Sequence, residues 1–117
     1  MSRPEQSSEE YIASVRAELV STARALRSQE LPFLEGVQRL LALRSQVSRD
    51  DHDSDFMLFV AIGSEADHIP PARARKLCSE SWLAKCDQEA RELEAFYRVN
   101  VSTACERLVE RFSETAG

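Results

Sequence analysis

Apolar residues recur at helical spacing through the first half of the chain. Between Tyr11 and Leu26 they are separated by one, three or four residues, which is the pattern of one face of an amphipathic helix. This pattern predicts a first helix that ends near Ser28, with Ser7 or Ser8 as its cap and residues 1–7 as a frayed terminus. The predicted stripe consists of Tyr11, Ile12, Val15, Leu19, Ala23 and Leu26.

A second stripe begins at Phe33 and predicts a helix from about Pro32 to Val47. The connection between the two helices is short, so they should pack as roughly antiparallel neighbours.

The central segment from Phe56 to Gly63 has a different pattern, because it is apolar on every face and carries no charge. Such a segment should be buried on every face. A buried strand has a similar composition, but no second strand candidate exists to pair with it. We therefore predict a third helix over about 54–66, capped by Asp53 or Ser54.

The last third of the chain predicts one short helix and one long helix. Pro70 and Pro71 make a rigid link, a short helix follows over about 71–77, and Ser79 or Ser81 caps a separate turn. A fresh helix is predicted from Asp87 to about residue 113. Its stripe is Leu93, Phe96, Tyr97, Asn100, Ala104, Leu108 and Phe112, with Asn100 as a polar member and Val101 and Val109 at the edge. The predicted fold is all-α, a single-domain antiparallel bundle of four principal helices plus one short helix over residues 1–117, with 114–117 frayed.

Composition agrees with a small helical domain that has no disulfide framework. The 117 residues suit one domain, and three Gly and four Pro are too few for a turn-rich β fold. No apolar segment is long enough for a transmembrane helix, and the first ten residues contain no apolar h-region of a signal peptide, so the expected compartment is the cytoplasm. Cys78, Cys86 and Cys105 show neither disulfide nor zinc spacing; Cys105 is predicted to fill the core, and the reactivity of the other two stays open.

The net charge of −5 is unevenly distributed along the chain. Residues 50–68 contain all of the acidic excess, with six acids and no Lys or Arg. The charge pattern argues against nucleic acid as a ligand, because phosphate binding needs a basic surface. A basic protein surface or a cation is the expected partner, and a solvated loop is the alternative. The six acids are Asp50, Asp51, Asp53, Asp55, Glu65 and Asp67.

Glu65 and His68 have the i,i+3 spacing that places two metal ligands on one side of a helix. A di-iron centre needs a second copy of this motif, which the sequence lacks, so the metal alternative is a mononuclear site that adds Asp67 and His52. Asp67 beside His68 is also an acid/base candidate. The structural alternative is a cluster of ion pairs in which Arg73 and Arg75 cover Glu65 and Asp67. No catalytic constellation stands out.

Three segments of the sequence resemble a known family. The segment from Phe59 to Pro70, Trp82 with Leu83, and the closing segment from Ala104 to Phe112 look like a family of small bacterial proteins classed only as a domain of unknown function. The resemblance covers about residues 34–112, and its most specific piece runs from Ser64 to Pro70. It implies a bacterial helical protein and brings no activity.

The leading hypothesis is a non-enzymatic protein-interaction module, such as an immunity or inhibitor protein or a small regulator, that docks a basic partner and needs no cofactor. Trp82 belongs to the predicted site because tryptophan is enriched at binding hot spots, although a lone Trp also anchors loops. The alternative is a metal-dependent or acid/base site on Glu65, Asp67 and His68, with His52 as a further ligand. A third alternative is a homodimer in which the apolar segment completes a core across subunits. The predicted docking residues are Asp51, Asp53, Asp55, Glu65, Asp67, His68 and Trp82.

Overall fold

A computed structural model describes residues 4–113, with side chains from Glu9 onward. They form α1 (Pro4–Arg27), α2 (Phe33–Val47), α3 (Ser54–Glu65), a short 3-10 helix (Ala72–Leu77) and α4 (Glu80–Phe112). The predicted all-α bundle of four principal helices plus one short helix is confirmed. Because α1 already begins at Pro4, Ser7 and Ser8 lie inside it, and the prediction of a helix start there is wrong. Residues 1–3 and 114–117, predicted to fray, lie outside the described residues.

The central apolar segment forms α3, and one face of it builds the core. Phe56, Phe59 and Ile62 are completely buried, and the ring of Phe56 lies 6.2 Å from that of Phe112 at the end of α4. The prediction of burial on every face is too broad, because Ala61 is exposed. Phe56, Phe59 and Ile62 are covered by side chains of the same chain. The other core side chains include Val15, Leu19, Leu26, Val37, Leu40, Cys105 and Leu108.

A close approach between α1 and α2 is possible because α2 carries a glycine in its first turn. A Cβ atom added at Gly36 would lie 2.8 Å from Cδ1 of Leu26 and 3.1 Å from its Cβ. The turn between these helices also places Gln29 at φ 68°, a left-handed conformation that favours glycine.

The last helix is continuous, so the prediction of a fresh start at Asp87 is wrong. Ser79 caps α4, and its Oγ accepts a hydrogen bond from the backbone N–H of Trp82 at 3.1 Å. No Gly or Pro interrupts the 33 residues that follow, which makes the helix about 50 Å long. The predicted separate turn around Trp82 is therefore the first turn of α4.

Only the C-terminal half of α4 packs deeply into the bundle. Val101, Ala104, Cys105, Leu108 and Phe112 are buried there, whereas Cys86 is the one buried residue before Val101. Phe96 is 76% exposed, and Asn100 is also exposed, so their predicted core positions are wrong. The same correction applies to Tyr11 and Ile12 in α1, which are exposed.

All three cysteines are free. Cys105 fills the core as predicted, and burial raises the pKa of its thiol to about 12. Burial also raises the pKa of the Cys86 thiol. Among the described residues, no helix combines the length and apolar character that crossing a membrane requires.

Candidate functional site

The acidic residues at the start of α3 form ion pairs with an arginine of α4. Arg111 of α4 donates two hydrogen bonds to the Asp53 carboxylate, at 2.9 and 2.8 Å, and one to Asp55 at 2.8 Å. Asp53 is only 7% exposed and also accepts hydrogen bonds from Ser48 Oγ at 2.7 Å and from the backbone N–H of Asp55 at 3.0 Å. We call Asp53, Asp55 and Arg111 the arginine clamp.

The arginine clamp favours the ionised form of the Asp53 carboxyl group. The hydrogen bonds from Arg111 hold the pKa of this carboxyl group well below its usual range, against the opposing effect of burial. The same contacts raise the pKa of Arg111. Asp53 is therefore both the cap of α3 and one member of an ion pair with Arg111.

The other predicted acids at this end are Asp50 and Asp51, which are exposed. Asp50 Oδ1 accepts a hydrogen bond from the backbone N–H of His52 at 2.9 Å. The 12 residues of α3 separate this loop from Glu65 by about 18 Å. The acidic positions of residues 50–68 thus lie at two ends of one helix and do not form a single patch.

At the far end of α3, Glu65 and Asp67 are not covered by the arginines that follow them. Arg75 binds Asp87 instead, with hydrogen bonds of 2.9 and 3.0 Å to its two carboxylate oxygens. Glu65 accepts a hydrogen bond from the Tyr97 hydroxyl, and this bond is the main reason that the pKa of Tyr97 is raised. Asp67 is exposed.

His68 is positioned by the N-terminal half of α4. Its Nε2 contacts Oε1 of Glu89, and its ring centroid lies 6.1 Å from the Trp82 ring. The ammonium group of Lys85 lies 5.8 Å above the same indole. His68 therefore pairs with a carboxylate 21 residues away and not with the adjacent Asp67.

A shallow surface groove of about 460 Å³ lies between the end of α3 and α4, next to the contact of His68 with Glu89. Among the residues that the structure describes, its lining combines three carboxylates with His68 and two large apolar side chains and includes no Lys or Arg. We call it the acidic groove. The lining residues are Glu65, His68, Glu89, Glu92, Leu93 and Phe96.

Sequence reasoning found Glu65 and His68 but missed the residues that α4 contributes. Glu89, Glu92, Leu93 and Phe96 recur at the three- and four-residue spacing of one helix face, which is a readable signal. The predicted core stripe includes Leu93 and Phe96 but neither glutamate, because local spacing does not show which face of α4 meets the bundle.

The predicted metal set is not assembled. His52 lies in the loop before α3, whereas the other three residues of that set lie at the opposite end of the helix. Within residues 9–113, whose side chains the structure describes, no group of three or more His, Cys, Asp or Glu side chains lies close enough to hold a metal ion.

Comparison with models of known protein families identifies the family of the chain. A family model described as "Protein of unknown function (DUF2489)" matches residues 2–108. The chain belongs to the DUF2489 family. The predicted resemblance to an uncharacterised family is therefore confirmed, and the DUF2489 match extends it from residue 34 back through α1. No curated protein and no solved structure matches the chain.

Proposed function

We propose that the chain is a non-enzymatic protein-interaction module that docks a basic segment of another protein in the acidic groove. An inhibitor, an immunity protein or a small regulator is the kind of role that such a module fills. The observation that carries the proposal is a carboxylate-lined groove beside an aromatic ring that is 76% exposed. Of the seven predicted docking residues, the proposal keeps Glu65, Asp67, His68 and Trp82.

The charge of the acidic groove supports a cationic partner. Its three carboxylates have polar or histidine partners: Glu65 has Tyr97, Glu89 has His68, and Glu92 accepts a hydrogen bond from Gln88 at 2.9 Å. None of these contacts supplies a Lys or Arg charge. The negative field at the groove is therefore available to steer and orient a basic segment, and binding should weaken with salt.

The apolar part of the groove supports a protein partner over a free cation. Phe96 and Leu93 offer side-chain area that a metal ion or a small amine would leave in water. Aromatic residues ringed by polar groups are typical of binding hot spots. Trp82 lies beside the groove through its contact with His68 and extends this surface. A segment that places an Arg or Lys next to a large apolar residue satisfies both parts.

Acid/base chemistry is the second candidate, and the contact between His68 and Glu89 favours it. A carboxylate that orients an imidazole is a common element of catalytic sites. If the pair is catalytic, His68→Ala should abolish turnover of a substrate. If the pair only shapes the docking surface, the variant should change partner binding and leave turnover unaffected. The docking proposal is preferred because it also uses the apolar side chains of Leu93 and Phe96, which line the groove.

The single tryptophan of the chain provides a direct test. We suggest titrating the fluorescence of Trp82 with a synthetic basic peptide in which Arg alternates with Leu. A saturable change is expected for the wild-type protein. Because rim charge contacts contribute roughly 0.5–1 kcal/mol each, Glu65→Gln with Glu92→Gln should weaken binding about tenfold. Neither substitution touches Trp82 or His68.

The matched control is Asp50→Asn with Asp51→Asn, which removes the same charge at the other end of α3. The control should bind like wild type. Equal weakening by both double variants would show that only net charge matters, and the proposed site would then be wrong. Binding that is unaffected by Glu65→Gln with Glu92→Gln would also contradict it.

A further inference from the structure

A second groove lies at the opposite end of α4, along the exposed side of α1. It encloses about 560 Å³ between α1 and the end of α4. From Glu9 to Arg24 it follows α1 for about 22 Å. We call it the α1 groove. Its lining residues are Glu9, Ile12, Ala13, Arg16, Ala17, Val20, Ser21, Arg24, Phe112 and Ser113.

The geometry points to a second copy of this chain as the occupant, and we propose a two-fold dimer in which α1 packs antiparallel against α1 of the other copy. This inference does not depend on the proposed function, because it uses a different surface. Along α4, Phe112 of the α1 groove and Phe96 of the acidic groove are separated by about 24 Å. A dimer formed here therefore leaves both acidic grooves open.

The charge pattern of the α1 groove is self-complementary. An acid, Glu9, stands at one end and a base, Arg24, stands at the other. In an antiparallel pair centred between Arg16 and Ala17, Glu9 of each copy faces Arg24 of the other. The arrangement gives two opposite-charge pairs related by the two-fold axis, as an isologous interface requires.

The sizes of the side chains agree with the same register. Ile12 faces Ser21 of the other copy, and Ala13 faces Val20. At the centre, Arg16 faces Ala17. Each of these pairs sets a larger side chain against a smaller one, which allows two helices to approach closely and interlock.

The side chains at the two ends of the α1 groove are Glu9 and Arg24. No ion pair among the described residues includes Glu9 or Arg24, and both side chains are exposed. The central Arg16 lies over the Phe112 ring, with its guanidinium carbon 5.7 Å from the ring centroid. This contact turns Arg16 toward α4, which reduces repulsion between the two copies of Arg16 across the axis.

The test is sedimentation velocity of the full chain over a wide range of concentration. The wild-type mass should rise from 13.2 kDa toward twice that value. Glu9→Arg alone and Arg24→Glu alone should each keep the protein monomeric, because each places like charges opposite one another. The double variant with both substitutions should restore the dimer, since it exchanges the charges of each pair.

The matched control is Glu18→Arg, the same charge change at an exposed position of α1 that does not line the groove. This variant should dimerise like wild type. A wild-type protein that is monomeric at every concentration would overturn the proposal. So would a dimer that survives both single reversals, or a double variant that stays monomeric while circular dichroism shows it to be folded.

Discussion

Replacing Arg111 with methionine should destabilise the protein by roughly 2–3 kcal/mol, because it leaves the Asp53 carboxylate buried without its counter-charge. Asp53 is 7% exposed and receives two hydrogen bonds from Arg111, at 2.9 and 2.8 Å. Breaking a fully buried ion pair costs about 3–5 kcal/mol. The Arg111 side chain is 38% exposed, so solvent screens the pair and the expected cost lies below that range.

The assays are urea denaturation and thermal denaturation at neutral pH, both followed by circular dichroism at the helical signal. A change of 2–3 kcal/mol corresponds to a decrease in Tm of about 10 °C for a domain of this size. The matched control is Arg39→Met, which removes the exposed i,i+4 pair with Glu35. The control should cost at most about 0.5 kcal/mol. An Arg111→Met variant within the same limit would refute the structural role of the arginine clamp.

Three further predictions use the same measurements. Arg111 lowers the pKa of Asp53 in the folded protein. The stability that this carboxylate contributes is therefore present above its unfolded pKa of about 3.9 and is lost as the pH falls further. The urea midpoint of wild type should decrease more steeply below about pH 4 than that of Arg111→Met. Gly36→Ala should lower the urea midpoint by an amount equivalent to roughly 1–2 kcal/mol, because its Cβ would lie 2.8 Å from Leu26 Cδ1; a stabilised variant would contradict the close approach of α1 and α2. Gln29→Gly should raise stability by about 0.5 kcal/mol, because φ is 68° there; a lower Tm would contradict the left-handed turn.

The local features of the fold were predictable from the sequence. α2 and α3 begin and end within one residue of the predicted positions, because apolar periodicity and a capping Asp act over a few neighbouring residues. The continuity of α4 through Asp87 also has a local cause, because Ser79 caps the helix and no Gly or Pro follows within it. Helix existence is thus a property that short stretches of sequence determine.

The packing of α4 was not predictable from periodicity alone. The spacing marks Phe96 and Leu108 as members of the same stripe, yet Phe96 is exposed and Leu108 is buried. The difference depends on where the neighbouring helices end, which the spacing within α4 does not contain. The N-terminal half of α4 therefore presents an apolar side chain to solvent where the sequence predicted core.

The candidate site depended on contacts between distant residues. Arg111 reaches Asp53 across 58 positions, and Glu89 reaches His68 across 21. Proximity in sequence favoured Arg75 as the partner of Glu65, but the 3-10 helix directs Arg75 to Asp87. Charge composition located the acidic region, whereas only tertiary structure separated the acids that hold the fold together from those that face solvent.

The most direct test of the acidic groove as a docking site is a two-dimensional ¹⁵N NMR titration with the Arg–Leu peptide at two salt concentrations. At low salt, the largest amide shifts should lie at His68, Glu89, Glu92 and Phe96. At about 0.5 M salt, where the Debye length is roughly 4 Å, these shifts should largely disappear. Shifts concentrated at Asp50 and Asp51, or shifts at the groove that are unchanged by salt, would contradict the proposal.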